Sequence, residues 1–278
     1  QVGGKMSIKH GSLEMPRAGL HIKDIDLSLT GKDHSDFNIN SKLRSGTGTA
    51  SITGTIDLDD KYYLFSDLKI KVERFETIHI HEVEILTSPD FNIHIEKNVV
   101  DITGSVHIPE ANIEPRNLET TARPSVDVKI KQPDIQNIKE PKWETHILMR
   151  LTLGEKIAFN GFGLTGNITG DVALMDTSKE LTTALGELQI NNGEYGAYGQ
   201  KLKIDMGRLL FVGGPVDNPG LDIRATRKAG DVVAGIDMRG TIKSTRNTVF
   251  SEPAMEEREA LSYIILGRPM EQASPEEG

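Results

Sequence analysis

The chain has no cysteine among its 278 residues. That absence excludes disulfides, thiolate nucleophiles and cysteine-ligated zinc or iron–sulfur sites in one step, and it is compatible with cytoplasm and periplasm alike. Aromatic side chains are scarce too, at 5% with a single tryptophan. A membrane-spanning β-barrel, with its aromatic girdles and apolar outer surface, is therefore not expected. Basic residues are outnumbered, 32 Lys and Arg against 41 Asp and Glu, for a formal charge of −9. A nucleic-acid partner would need the opposite surplus, because Lys and Arg neutralise phosphates. No apolar run approaches the roughly 18 to 20 residues of a spanning helix, and Gln1-Val-Gly-Gly-Lys-Met6 lacks a basic stretch followed by an apolar one. Any membrane anchor is expected outside this piece of chain.

What the sequence does contain is alternation, within a hydrophobic content of 37% that is low but enough for a fold. Apolar residues occupy every second position in Ile25-Leu27-Leu29, Leu68-Ile70-Val72, Phe91-Ile93-Ile95 and Val126-Val128-Ile130. The same spacing recurs in Ile147-Met149-Leu151-Leu153, Leu202-Ile204 and Ala234-Ile236-Met238. Side chains two apart project from one face of a strand, and the intervening Lys, Asp, Glu, Ser, Thr and His wet the other. Helical spacing is nearly absent before the C-terminal end, so an α/β enzyme fold is not expected.

A short motif repeats at irregular intervals: Ile52-Thr-Gly-Thr-Ile56, Ile102-Thr-Gly-Ser-Val106, Ile168-Thr-Gly-Asp-Val172 and Met238-Arg-Gly-Thr-Ile242. Its glycine falls on the apolar face, where it marks a β-bulge or a close approach by another backbone or a ligand, the bulge being the expected reading. Stretches rich in Pro, Asn, Glu and Arg, from Glu114 to Pro124 and from Lys131 to Pro141, interrupt the pattern. One helix is expected from Glu256 to Leu266, closed by Gly267 and Pro269, with Leu261, Ile264 and Ile265 as its apolar stripe. Capping the end of the β structure is the plainer role for that stripe, and docking a partner the sharper one.

Several constellations do not develop into sites. His79 and His81 with Glu82 and Glu84 have a metal-like spacing, but the apolar phase shifts there and a bulge accounts for the cluster. Asp24, Asp26, Asp57, Asp59 and Asp60 lack a calcium loop, and the glycines of Gly161-Phe-Gly-Leu-Thr-Gly166 lack the strand and helix of a nucleotide site. No nucleophile elbow or placed carboxylate pair is present, so no enzyme, cofactor or catalytic residue is expected.

The stretch Tyr198-Gly-Gln-Lys-Leu-Lys-Ile-Asp-Met-Gly-Arg-Leu-Leu-Phe211, then Gly214-Pro-Val-Asp-Asn-Pro-Gly-Leu-Asp-Ile223, resembles the C-terminal domain of the TamB family. Val249-Phe-Ser-Glu-Pro-Ala-Met255 and Glu259-Ala-Leu-Ser-Tyr-Ile-Ile-Leu-Gly-Arg-Pro269 resemble the end of that domain in order and spacing. Looser matches lie at Gly11 to Pro16, Ser88 to Ile93 and Thr103 to Asn112. Two departures are Glu256, where relatives often carry a better helix cap, and the end of the chain soon after Pro269, which reads as truncation.

The resemblance implies a periplasmic β-taco, part of an inner-membrane-anchored protein of the Gram-negative envelope. It also implies phospholipid transport between membranes and outer-membrane biogenesis, with a TamA- or BamA-type outer-membrane protein as partner. The strand pattern leads independently to a similar fold class: all-β, a curled antiparallel-type sheet with an apolar interior and one short helix. Residues 1–113 and 143–250 would form two parts of the groove, 114–142 a Pro-rich irregular segment, and 251–278 the helix and tail. The lining expected to meet acyl chains comprises Ile102, Val106, Ile108, Val128, Ile130, Met149, Leu151, Ile204, Phe211, Ile223, Ile236 and Met238. Ordinary core packing is the alternative for each. Phe250, Leu261, Ile264 and Ile265 are expected to face a partner. The competing function is protein assembly by β-augmentation at the open edges; a β-solenoid adhesin would need a regular repeat that is missing.

Overall fold

The computed structural model describes residues 4–16, 19–31, 35–58, 63–80, 82–115, 143–161 and 163–270. The alternating segments become strands β1 (Lys5–Met15), β2 (Leu20–Gly31), β3 (Asp36–Ser45), β4 (Gly48–Leu58) and β5 (Leu64–Glu73). They continue as β6 (Phe75–Ile80), β7 (Val83–Glu96), β8 (Val99–Ile113), β9 (Glu144–Gly161) and β10 (Leu164–Thr177). The last are β11 (Thr183–Ala197), β12 (Gln200–Pro215), β13 (Gly220–Ala229), β14 (Val232–Thr241) and β15 (Ser244–Glu252), followed by helix α1 (Glu257–Leu266). All fifteen strands share one sheet in chain order, except that β6 pairs with β7 off the main path. β1 and β15 are its two ends, so the sheet is open and not a barrel.

Pairing is antiparallel along the path except between β8 and β9, which run parallel with Val99 beside Glu144 and Ile113 beside Phe159. A parallel neighbour needs a crossover of a dozen residues or more, whereas a hairpin needs two. The interval between Ile113 and Glu144 provides that length. Pro89 marks a second interruption. The β5–β7 ladder stops at Lys71 and Asp90, and pairing with β7 resumes on β6 at Phe75 and Thr87. Proline has no N–H to give a ladder, and the Arg74 N–H between the two strands bonds the Ser88 hydroxyl at 2.9 Å instead.

Register shifts recur at corresponding heights: between Ile8 and Gly11, Lys23 and Asp26, Leu86 and Ser88, Ile108 and Glu110, Asn167 and Gly170, and Ile204 and Met206. A bulge bends its strand and increases the local twist, so a line of them folds the sheet along its length. Those shifts are a mechanical means of producing the expected curl.

Of the glycines in the repeated motif, Gly170 borders a register shift as expected of a bulge, whereas the others do something different. The ladders pass through Gly54, between Ile39 and Leu68, and through Gly104, between Phe91 and Met149, with no shift. Their φ angles are 155° and 150°, and an added Cβ would sit 1.9 Å from the Asp67 carbonyl oxygen and 2.1 Å from that of Asp90. Close approach of the neighbouring backbone, the second of the two readings, is what requires glycine.

Candidate functional site

Paired residues project from the same side of a sheet, so the register defines two faces. One row runs Leu27, Ser41, Ile52, Ile70, Phe91, Gly104, Met149, Leu174 and Ala184, strand to strand across the parallel seam. Another runs Ile108, Leu153, Gly170, Leu188, Leu209, Leu221 and Gly240. Among the described residues this face carries two charged side chains, Asp176 at one rim and Arg227 near the C-terminal end. Strands lie about 4.8 Å apart, which makes the apolar face about 60 Å long in the hydrogen-bonding direction. Most of its aliphatic side chains are half-buried, while Ala111, Ile157, Val172 and Ala184 are buried.

Ten of the twelve expected lining residues lie on this face: Ile102, Val106, Ile108, Met149, Leu151, Ile204, Phe211, Ile223, Ile236 and Met238. Val106 and Leu151 are direct partners, as are Ile223 and Met238. Val128 and Ile130 lie outside the described residues. The face is not uniform along its length. Ile102, Val106, Ile108, Met149 and Leu151 are half-exposed, whereas Ile204 and Ile236 are each 6% exposed. Those two belong to a core with Ile190, Leu202, Ala225, Ala234 and Ile264. Ile264 comes from α1, which packs against β13, β14 and β15 on the apolar face.

The helix is therefore seated inward. Ile264 is completely buried and Leu261 packs against the same cluster. Ile265 is half-buried, and its carbonyl accepts a bond from Arg227 at 3.2 Å. Phe250 sits on the opposite face, with the Arg224 guanidinium 3.9 Å from its ring centre. Arg227, which sequence reasoning did not single out, also donates to the Ile264 carbonyl at 2.5 Å. The last turn of the helix has no basic residue of its own, and Gly267 adopts the left-handed C-cap, its N–H bonding the Tyr263 carbonyl. Glu256 makes no side-chain cap bond, in keeping with its poor capping chemistry.

The other face is polar and laced with cross-strand pairs, including Arg150 with Asp171 at 2.8 Å and Arg208 with Asp222 at 2.6 Å. A row of alternating acid and imidazole crosses the parallel seam. His94 Nδ1 meets Asp67 at 2.7 Å, and His146 Nδ1 meets Asp101 at 2.8 Å. His146 Nε2 also reaches Glu144 at 3.3 Å, which in turn accepts from Lys179 at 2.7 Å. The bond to Asp67 raises the His94 pKa, and the bonds to Asp101 and then Glu144 raise that of His146. The bond from Lys179, followed by that from His146, lowers Glu144.

Two clefts of about 580 and 550 Å³ open on this polar face, lined in part by His10, Asp24, Arg44 and Lys71, and by Glu76, Glu84, Glu110 and Lys156. Charged groups share these walls with aliphatic ones, Leu43, Ala50 and Val72 in the first cleft and Ile78, Ile85 and Leu86 in the second. His79 pairs with Glu76 at 2.9 Å, Asp24 with Arg44, and Asp26 accepts the His10 N–H. Among the described residues no group of ligating side chains could hold a metal ion. His81, Asp59 and Asp60 lie outside the described residues. No described helix is long and apolar enough to cross a membrane.

An open, mostly antiparallel sheet of fifteen strands, aliphatic on one face and ion-paired on the other, with one short helix, defines an open-sheet all-β protein. The sequence profile of the TamB C-terminal domain matches residues 38–277, and the chain belongs to that family. It is similar to the translocation and assembly module subunit TamB of Haemophilus influenzae (strain ATCC 51907 / DSM 11121 / KW20 / Rd), with 24% identity over 97% of this chain. The aligned part spans 22% of that relative's length.

Proposed function

We propose that the apolar face is a trough for the acyl chains of phospholipids, and that the chain is one length of a periplasmic conduit between the inner and outer membranes. The observation that carries this reading is the continuity of two apolar rows, one from β2 to β11 and one from β8 to β14, with the two charges of the face lying off both rows, Asp176 at a rim and Arg227 toward the C-terminal end. Burying one CH₂ is worth about 0.8 kcal/mol, so a chain of about sixteen carbons gains on the order of a dozen kcal/mol over water. Against a bilayer it gains almost nothing. A lipid held no more tightly than in its source membrane can both enter and leave, with its headgroup in water at the rim. The reading calls for no catalysis.

A second reading is assembly of outer-membrane proteins by β-augmentation with a TamA- or BamA-type partner. The outer edges of β1 and β15, beside which no other described strand lies, support it, since an unpaired edge presents N–H and C=O groups to an incoming strand. The two readings separate by face and edge. A benzophenone side chain placed at position 151, on the apolar face, is expected to crosslink phospholipid in cells, and one at 150, on the polar face, is not. Crosslinks to protein strands from β15 positions, with none to lipid from 151, would favour assembly instead.

A further inference from the structure

The trough changes character at its C-terminal end, where α1 covers the floor that elsewhere stays half-open. Three features describe how the helix is held there. It has only ten residues, from Glu257 to Leu266, a length at which helices depend on packing for their existence. Its buried side chains are Ala260, Ser262 and Ile264, so a polar hydroxyl occupies one of three seats, bonded to the Arg268 carbonyl at 2.7 Å. Its C-terminal carbonyls are taken by one side chain from the sheet, Arg227, at 2.5 and 3.2 Å.

The floor beneath the helix consists of Ile204, Ala225, Ala234, Ile236 and Val249, and is continuous with the trough through the Ile223–Met238 pair. Small residues at Ala225 and Ala234, both wholly buried, leave room above the strands. Arg227 is paired in register with Ala234, at the margin of that floor, and is the one charged side chain among the apolar-face residues of β11 to β15. A guanidinium beside an aliphatic floor matches the two chemical halves of a phospholipid, phosphate and acyl chain.

We propose that the seat of α1 is a lipid-binding end site of the trough: α1 closes it as a plug, and Arg227 exchanges the helix carbonyls for the phosphate of an incoming lipid. This rests on the trough reading given above. The exchange conserves the hydrogen bonds of Arg227, replacing two neutral acceptors with a charged one. The helix already closes the aliphatic floor, with Ala225 and Ala234 wholly buried and Ile204 and Ile236 6% exposed, so an incoming acyl chain takes over that cover instead of adding to it.

The natural absence of cysteine makes the test direct. Spin labels at Arg258→Cys on α1 and Lys228→Cys on β13, both exposed positions, report the seating of the helix by pulsed dipolar spectroscopy. The full chain is titrated with myristoyl lysophosphatidylglycerol, with monomyristoylglycerol, and with inorganic phosphate, and bound lipid is measured by equilibrium dialysis on the same samples. A second, longer distance is expected with the lysophospholipid, less of it with the phosphate-free lipid, and none with phosphate alone. Arg227→Ala is expected to populate the longer distance without lipid and to speed amide exchange in α1 roughly ten-fold or more, as loss of charged hydrogen bonds implies. Arg227→Lys, which keeps the charge without the fork, should fall between. Lipid binding with an unchanged distance would overturn the plug and leave the trough standing. Equal displacement by the phosphate-free lipid would remove Arg227 from the exchange and overturn the phosphate half. Absence of lipid binding by native and Arg227→Ala protein alike would overturn the trough reading and the plug with it.

Discussion

At Gly104 a methyl group has nowhere to go: φ is 150° and the Asp90 carbonyl oxygen would lie 2.1 Å from it. Gly104→Ala is expected to destabilise the protein by about 1–3 kcal/mol, read from urea unfolding, because the ladder must shift to admit it. Gly214→Ala is the control, since no heavy atom lies within 4 Å of the added carbon, and it should change stability by less than about 0.5 kcal/mol. The motif and its place on the apolar face were legible in the sequence. That Gly104 answers a neighbouring carbonyl and not a bulge was not, because the opposing strand has to be placed first.

The acid–imidazole row makes the other residue-scale prediction. His94 has its pKa raised by Asp67, and His146 by Asp101 and Glu144. A histidine raised in the folded state contributes stability that is fully present below its unfolded pKa of about 6.5 and lost as pH rises through the folded value. Both sites are well exposed, so the contribution is small and weakened by salt. Titration of the imidazole C–H resonances should place both above the ordinary histidine value, and Asp67→Asn should bring His94 down while leaving His146 in place. Coincident ordinary values in the native protein would contradict the geometry of the row.

At the scale of elements, alternation was enough to locate β2, β5, β7, β9, β12 and β14, because period-two spacing with wet intervening residues has few other solutions. It could not supply the parallel pairing of β8 with β9, whose only trace was a Pro-rich interval of crossover length. Nor did it reveal the places where the polar face turns apolar. Leu148, Met175, Leu185 and Val212 are 55%, 59%, 62% and 82% exposed there, Leu148 paired with Met175 and Leu185 with Val212. Consecutive apolar residues such as Ile147-Leu148-Met149 were the available signal, and they read equally well as a doubly covered strand. The helix was legible to within a residue, from its stripe and from Gly267, and Leu261 and Ile264 take the plainer role read for that stripe, covering the β structure. Because Ile264 is wholly buried against the sheet, Ile264→Ala should cost about 2–5 kcal/mol. The loss should appear in hydrogen exchange as local opening of α1 and the ends of β13 to β15, with β2 to β8 unchanged.

Over the whole molecule, the ten placed lining residues share one face, yet they divide by burial. Ile204 and Ile236 lie beneath the helix seat, where a charge would disrupt the core in any functional reading. Ile102 is half-exposed in the open part of the trough and can carry the decisive substitution. Thr103, its neighbour on the polar face, carries the control. On the proposed trough reading, protein purified by a detergent-free route is expected to carry phospholipid along this face.

Lipid extraction and mass spectrometry on native, Ile102→Asp and Thr103→Asp protein, with folding checked by circular dichroism, tests that claim most directly. The trough account expects phospholipid in the native and Thr103→Asp proteins and several-fold less in a folded Ile102→Asp protein. Native protein that is consistently free of lipid, or equal lipid in all three folded proteins, would contradict it.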